Sequence, residues 1–158
     1  MPKRTWLIKS EPDVYSIADL ERDGRTGWEG VRNYQARNTM RDDMKTGDLV
    51  LFYHSNADPP GVAGIARVDG DPAPDPTQFD KKSEYFDAGS KKDDPRWIMA
   101  HVAFVERFAS VLPLETLKTD APLTGMPLLQ KGQRLSVQPV SAEHFARVLS
   151  LARARTRP

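Results

Sequence analysis

The chain has 158 residues, of which 39% are hydrophobic and 28% charged, and its formal net charge is +1. This composition is typical of a globular protein and excludes a transmembrane helix of about 20 apolar residues, so no membrane partner is expected. The near-zero charge excludes polyanion binding by a generally basic surface, and the absence of cysteine excludes disulfides and thiolate metal sites. A reducing, cytoplasmic location suits such a sequence.

The first predicted elements are a strand and two helices. Residues 5–9 form the strand, and Ser16, with an acidic residue three positions later, starts a brief helix. Asn33 is the predicted N-cap of the second helix, because its side-chain oxygen can accept a hydrogen bond from an unpaired backbone N–H. The apolar stripe of this helix consists of Ala36, Met40 and Met44.

Strands dominate the predicted centre of the chain. Residues 49–54 are apolar on both faces, which is typical of a central strand, and residues 62–68 form its neighbour with a bulge or bend at Gly64. Residues 69–95 are rich in Asp, Pro, Lys and Gly and predict a long loop with one helical turn at 76–79. Residues 97–108 predict a long strand.

The C-terminal part predicts a short helix over 113–118, a strand over 134–138 and a final helix capped by Ser141. In the strand, Leu135 and Val137 are expected to face the core. Arg134, Ser136 and Gln138 are expected to share the other face. A single domain is expected over residues 1–152, followed by a basic, frayed tail over 153–158.

Strands and short helices without βαβ regularity predict an α+β domain built on a small barrel. Residues 28–38 carry the most distinctive chemistry, because they combine two aromatic rings, two arginines and three amides. Such a segment can stack a planar ring and hold a phosphate. A surface helix with solvated arginines is the alternative interpretation of the same residues.

Six segments, in order, resemble the EVE domain family: residues 6–12, 28–38, 52–55, 61–64, 94–97 and 134–140. EVE domains have a PUA-like fold that is related in architecture to the YTH readers of methylated adenine. The resemblance implies an α+β, PUA-like small mixed β-barrel with short flanking helices. It also implies a pocket that receives a nucleobase of DNA or RNA, including a modified one.

The predicted base-binding residues supply either aromatic faces or polar groups at strand and helix ends. They are Trp28, Tyr53, Trp97, Lys9, Ser10, Glu11, Asn33, His54, Ser55 and Ser136. The predicted phosphate-binding residues are Arg32, Arg37, Arg96 and Arg134. We expect eight residues to converge on one concave site, in which an anion such as a buffer sulfonate would also fit. They are Lys9, Ser10, Trp28, Asn33, Arg37, Tyr53, Ser55 and Trp97. For Trp97, a place in the core is an equal alternative.

Catalytic and metal-binding patterns are weak in this sequence. His54, His101 and His144 have no paired metal-ligand spacing, and Ser90 lacks the second glycine of a nucleophile elbow. We therefore expect no metal, no cofactor and no catalytic residue. Two functions stay open: a non-catalytic module that captures a base of nucleic acid, and a sensor or enzyme that uses the same pocket for a nucleoside or another small anion.

Overall fold

The computed structural model describes residues 4–131 and 135–154. The predicted phosphate ligand Arg134 and most of the predicted tail, residues 155–158, lie outside this part of the chain. The described strands are β1 (Thr5–Ser10), β2 (Arg25–Gly27), β3 (Leu49–His54), β4 (Gly61–Val68), β5 (Ala73–Pro74), β6 (Ile98–Met99), β7 (His101–Pro113) and β8 (Val137–Val140). The described α-helices are α1 (Ile17–Asp23), α2 (Tyr34–Asn38), α3 (Leu114–Lys118) and α4 (Ala142–Ala154).

Six strands form one curled sheet in the order β2-β7-β4-β3-β1-β8, which makes a half-barrel. β1 and β3 run parallel, and the other neighbours in this sheet are antiparallel. β5 and β6 form a separate two-stranded sheet. The α+β fold predicted from the resemblance is confirmed. Within the described ranges, every helix is too short or too polar to span a bilayer.

The two faces of the six-stranded sheet bury different side chains. Along β1, Trp6 and Ile8 face one side while Leu7 faces the other, as the two-residue period of a strand requires. We call the first side the tryptophan core; its largest members are Trp6, Ile8, Ile17, Leu20, Trp28, Met40, Met44 and Phe52. We call the second side the leucine core; its members include Leu7, Leu51, Tyr53, Leu112, Leu117, Leu123, Phe145 and Val148.

Both predicted helix starts are confirmed. Ser16 forms a reciprocal capping box with Asp19 at the start of α1, and the side-chain oxygen of Asn33 accepts from the backbone N–H of Ala36 at 3.0 Å. α2 itself lasts little more than one turn and continues as a π-helical turn, Thr39–Asp43. The predicted apolar stripe is nevertheless fully buried in the tryptophan core, because the π-turn keeps it on the inner side.

The prediction of one strand over residues 97–108 is wrong. The chain leaves the small sheet after β6 and enters the large sheet at His101, where β7 begins. The backbone carbonyl of the intervening Ala100 accepts a hydrogen bond from the N–H of Trp28 at 2.8 Å. This contact spans 72 residues of sequence, so no local pattern could indicate it.

The predicted strand over 134–138 is also displaced. β8 starts at Val137, and Gln138 is only 1% exposed rather than facing away from the core. Its amide nitrogen donates to the carbonyl of Leu135 at 2.8 Å, which satisfies the buried donor. The regular alternation fails here because both faces of β8 are covered at this position. Ser141 accepts from His144 N–H at the start of α4, as predicted.

Candidate nucleic-acid interface

A cavity of about 880 Å³ lies beside the tryptophan core. The end of β1, the turn before α1, the loop from β2 to α2 and the loop around Tyr85 form its walls. The volume is within the range of about 300–1,000 Å³ that is usual for ligand sites. Seven predicted site residues line it: Lys9, Ser10, Glu11, Trp28, Arg32, Asn33 and Ser136.

Trp28 forms a wall of this cavity while the core holds its ring in place. The side chain is 8% exposed and packs edge-to-face against Phe52 at 5.5 Å and Tyr15 at 6.3 Å between ring centroids. The indole N–H groups of Trp6 and Trp97 donate to Asp48 and Asp87, respectively. Among the described residues, Trp28 has no such acceptor, and its indole N–H is not fully buried. The donor is therefore available to a bound molecule.

Polar groups at the end of β1 are fixed by backbone contacts. The Ser10 hydroxyl donates to the Tyr15 carbonyl at 2.6 Å, and the Lys9 N–H donates to the Ser136 carbonyl at 2.9 Å. Burial lowers the pKa of the Lys9 ammonium, which lies 6.0 Å from the centre of the Tyr53 ring. No carboxylate in the described part of the chain is within ion-pairing distance of Lys9, so its charge can meet an anion.

Arg32 holds the cavity loop in place. Its guanidinium donates to the buried Asp75 at 3.1 Å, to Thr77 at 3.0 Å and to the Tyr85 carbonyl at 2.8 Å. Asp75 also accepts from the Gly30 N–H at 2.7 Å. Burial by itself raises the pKa of Asp75, but the hydrogen bonds from Thr77, Gly30 and Arg32 outweigh it and lower the pKa overall. The predicted phosphate ligand Arg32 is thus already occupied by protein groups.

Gly30 allows the Tyr85 ring to approach this loop. Its φ of 81° is in the left-handed region, and a Cβ at this position would lie 2.7 Å from the Tyr85 ring. The guanidinium of Arg32 lies 5.4 Å from the centre of the same ring. Tyr85 is therefore held as a cavity wall by contacts on more than one side.

The remaining arginines and Trp97 form a stack that leads away from the cavity. Arg37 lies 4.8 Å from the Tyr34 ring, Tyr34 stacks on Trp97 at 5.0 Å, and Arg32 lies 5.1 Å from Trp97. Arg37 donates to the Arg96 carbonyl at 2.8 Å, and Arg96 pairs with Asp87. The expected convergence of Trp97 and Arg37 on the cavity is not found, because neither residue lines it and both contact Tyr34 instead.

Tyr53, His54 and Ser55 do not line the cavity either. Tyr53 is on the leucine-core side of β3, because its side chain points opposite to that of Phe52. His54 accepts from the Ile17 N–H at 3.1 Å and lines a second, smaller cavity of about 570 Å³. Burial, followed by the charge of Arg107, lowers the pKa of His54. Ser55 contributes a backbone N–H to the Ser10 carbonyl.

Sequence reasoning missed three prominent residues of the cavity: Tyr15, Glu29 and Tyr85. Burial, with a hydrogen bond to Asp23, raises the pKa of Tyr15 to about 12, and burial with the nearby charge of Asp75 raises that of Glu29. Tyr15 directly precedes a helix cap, and Tyr85 lies in a long loop. Long loops in compact domains often carry functional residues, so the length of its loop was the signal that could have indicated Tyr85.

The cavity carries charges of both signs. Lys9 and Arg32 are its cations, and Glu11, Glu29 and Glu84 are its acids. In the described part of the chain, no group of three or more acids and histidines is placed to hold a metal ion. The arrangement provides ring surfaces, hydrogen-bond donors and carboxylate acceptors, which are the groups that read the edge of a planar heterocycle.

Comparison with known proteins identifies the family. The EVE domain family model matches residues 4–151. Human thymocyte nuclear protein 1 is 43% identical over an alignment of 165 positions, which covers 92% of this chain and 72% of that protein. A hypothetical protein from Leishmania major has a TM-score of 0.94 and 47% identity, covering 99% of this chain and 98% of that one. The structure of human THYN1 in complex with 5-methylcytosine containing DNA has a TM-score of 0.87 and 42% identity. The match covers 99% of this chain and 100% of that one. This chain therefore belongs to the EVE domain family.

Proposed function

We propose that this protein binds DNA containing 5-methylcytosine and holds the modified base in the cavity beside Trp28. One observation carries the proposal: Trp28 lines a cavity of suitable size, and its indole N–H has no acceptor in the described part of the chain. The indole N–H of a largely buried tryptophan usually finds a hydrogen-bond partner. The likeness to human THYN1, whose structure contains 5-methylcytosine DNA, supports this choice of ligand.

The chemistry of cytosine matches the cavity. Its carbonyl oxygen and ring nitrogen accept hydrogen bonds from donors such as the Trp28 indole N–H, and its amino group donates to a carboxylate such as that of Glu29. Stacking on an aromatic wall contributes about 1–3 kcal/mol per base. A methyl group buried against Trp28 or Tyr85 adds roughly 0.8 kcal/mol, or about fourfold in affinity.

Phosphate contacts are a separate part of the proposal. Lys9 lies at the cavity, whereas Arg37 and Arg96 lie at the outer end of the arginine–aromatic stack. We expect Arg37→Ala to weaken binding to every sequence and to reduce the slope of log K against log salt by about 0.7–0.9. Titrations at two salt concentrations measure this slope, and an unchanged slope would mean that Arg37 contacts no phosphate. Arg134 remains a predicted phosphate ligand.

The decisive experiment is a binding panel of otherwise identical oligonucleotides that carry cytosine, methylcytosine, hydroxymethylcytosine, adenine or methyladenine, each as DNA and as RNA. We expect the highest affinity for methylcytosine in DNA. Trp28→Phe keeps most of the ring but removes the N–H, and should weaken binding by about threefold to tenfold. Equal affinity across the panel would contradict recognition of a modified base.

Tyr85 and its neighbour Phe86 give a matched pair of variants. Tyr85 lines the cavity, whereas Phe86 is 38% exposed and does not. Tyr85→Ala should weaken binding by about fivefold or more through lost stacking, and Phe86→Ala should leave it unchanged. If both variants bind as the parent does, the base is not held in this cavity.

A free nucleoside or small anion is the second candidate ligand. Three carboxylates line the cavity and would repel a phosphate backbone, and the net charge is only +1. Calorimetry with 5-methyldeoxycytidine alone, and with a sulfonate buffer ion, distinguishes this function. Binding of the nucleoside as tightly as the oligonucleotide would favour it. The cytoplasmic location stays a prediction that cell fractionation tests.

A further inference from the structure

Val14 is an apolar side chain in an unusual place. It is 70% exposed, the highest value among the large hydrophobic side chains of the described residues, and it also lines the rim of the cavity. A single exposed valine requires no explanation in general. Here, however, its position next to Tyr15, which packs against Trp28, places an exposed apolar group beside the aromatic wall of the cavity.

The turn that carries Val14 is held rigidly. The N–H groups of Val14 and Tyr15 both donate to the Glu11 carbonyl at 2.9 Å, and the Ser10 hydroxyl donates to the Tyr15 carbonyl. The capping box of Ser16 fixes the chain directly afterwards. A β-branched side chain has few rotamers to lose. Val14 is therefore presented in a fixed position without further ordering on binding.

A base taken out of a duplex leaves a gap whose neighbours have lost their stacking partner, at a cost of a few kcal/mol. Proteins that kink DNA insert apolar side chains between base steps, and an apolar side chain placed in the gap would contact the base faces exposed there. The turn also carries the exposed acids Glu11 and Asp13. These acids repel phosphates but can accept hydrogen bonds from base amino groups at the groove edges, so the turn is suited to contact the bases and not the backbone.

We propose that Val14 enters the DNA duplex and fills the gap left by the base that the cavity receives. This inference rests on the proposed function, and it makes Val14 a positioning residue for duplex DNA. A single strand has no such gap. Val14 should therefore matter for duplex binding and not for binding of the same modified base in a single strand.

The test measures the affinities of the parent protein, Val14→Ala and Val105→Ala for one methylcytosine-containing strand, alone and as a duplex. Val105 is 42% exposed on β7 and does not line the cavity, which makes it the matched control. Each buried methyl corresponds to about fourfold in affinity, so Val14→Ala should bind the duplex roughly tenfold more weakly and the single strand equally. Val105→Ala should match the parent on both. Thermal unfolding checks that each variant is folded.

A fluorescent base analogue placed beside the methylcytosine gives a second measurement. Its emission should increase on binding of the parent protein, because its neighbour leaves the stack, and should increase further with Val14→Ala, because the gap is then less well filled. Equal effects of Val14→Ala on duplex and single strand would overturn the inference while leaving the proposed function intact. If the parent protein binds neither oligonucleotide, the proposed function fails and the inference fails with it.

Discussion

The two sides of the six-stranded sheet differ in how they are closed. Helices α3 and α4 and their connecting turns cover the leucine core, whose side chains pack mainly against one another. Helices α1 and α2, the π-helical turn and loops cover the tryptophan core, and the loops leave a cavity lined by charged and aromatic groups. β1 and β3 supply alternate residues to both sides. Adjacent positions in one strand can thus serve stability on one side and binding on the other.

The largest expected effect tests whether the leucine core serves stability alone. Leu112 is fully buried there, so Leu112→Ala should lower the free energy of unfolding by about 2–5 kcal/mol. Val105→Ala, at an exposed position of the same strand, should change it by less than about 0.5 kcal/mol. Urea unfolding measures both variants. A several-fold loss of oligonucleotide affinity in folded Leu112→Ala would contradict the separation of the two sides.

Asp75 and Asp120 sharpen the comparison, since each pairs with an arginine on a different side of the molecule. Asp75→Ala removes the acceptor of the Gly30 N–H and the carboxylate partner of the Arg32 guanidinium, which should cost about 1–3 kcal/mol of stability. It should also weaken ligand binding, because both groups shape the cavity. Asp120→Ala breaks the pair with Arg147 of α4 and should lower stability without changing affinity. Calorimetric unfolding measures the stability of each variant, and the binding assay measures its affinity. Equal affinities for the two variants would contradict a role of Asp75 in shaping the cavity.

Variants at two glycines distinguish the effect of backbone strain from the effect of a contact with the cavity wall. Gly24 and Gly30 have φ of 77° and 81°, but only at Gly30 would an added Cβ meet the Tyr85 ring. Both alanine variants should lose roughly 1–2 kcal/mol of stability through the left-handed backbone. We expect only Gly30→Ala to lose affinity, because Tyr85 must move. Similar affinity in both variants would show that the Tyr85 position does not matter.

The smallest expected effect is a pH dependence of stability that arises at His54. Burial, and then the charge of Arg107, lowers its pKa in the folded protein, whereas the unfolded ring takes up a proton near its ordinary value of 6.5. The free energy of unfolding should thus be unaffected above about pH 6.5 and should fall as the pH is lowered toward about 5. Thermal melts over this range measure the effect. His54→Gln retains an acceptor for the Ile17 N–H and should reduce the dependence of stability on pH. An unchanged dependence would mean that other groups cause it.

Local signals were sufficient to predict the elements that depend on short-range contacts. The caps at Ser16 and Asn33 require only groups three residues apart, and the apolar runs of β1 and β3 require only burial on both faces. The same double burial explains the error at Tyr53. When both faces of a strand are apolar, the sequence does not indicate which face is which, and the position of Tyr53 on the leucine-core side could not be predicted.

The composition of the cavity was only partly predictable for a related reason. Residues at the end of β1 and in the segment around Trp28 were recognised because their motifs are contiguous in sequence. Arg32 was expected to bind phosphate, but its partners Asp75 and Tyr85 are 43 and 53 residues away. Such pairings are set by the packing of the long loop, and no periodicity in that loop indicates them.

The surroundings of the three tryptophans have an optical consequence. Trp6 and Trp97 donate their indole N–H groups to carboxylates and are enclosed, by an arginine in one case and by Tyr34 in the other. Trp28 alone among them borders the cavity. A change in intrinsic emission on adding a ligand would therefore originate chiefly from a single residue. The protein carries a built-in fluorescent reporter of occupancy, and no label need be attached to follow binding.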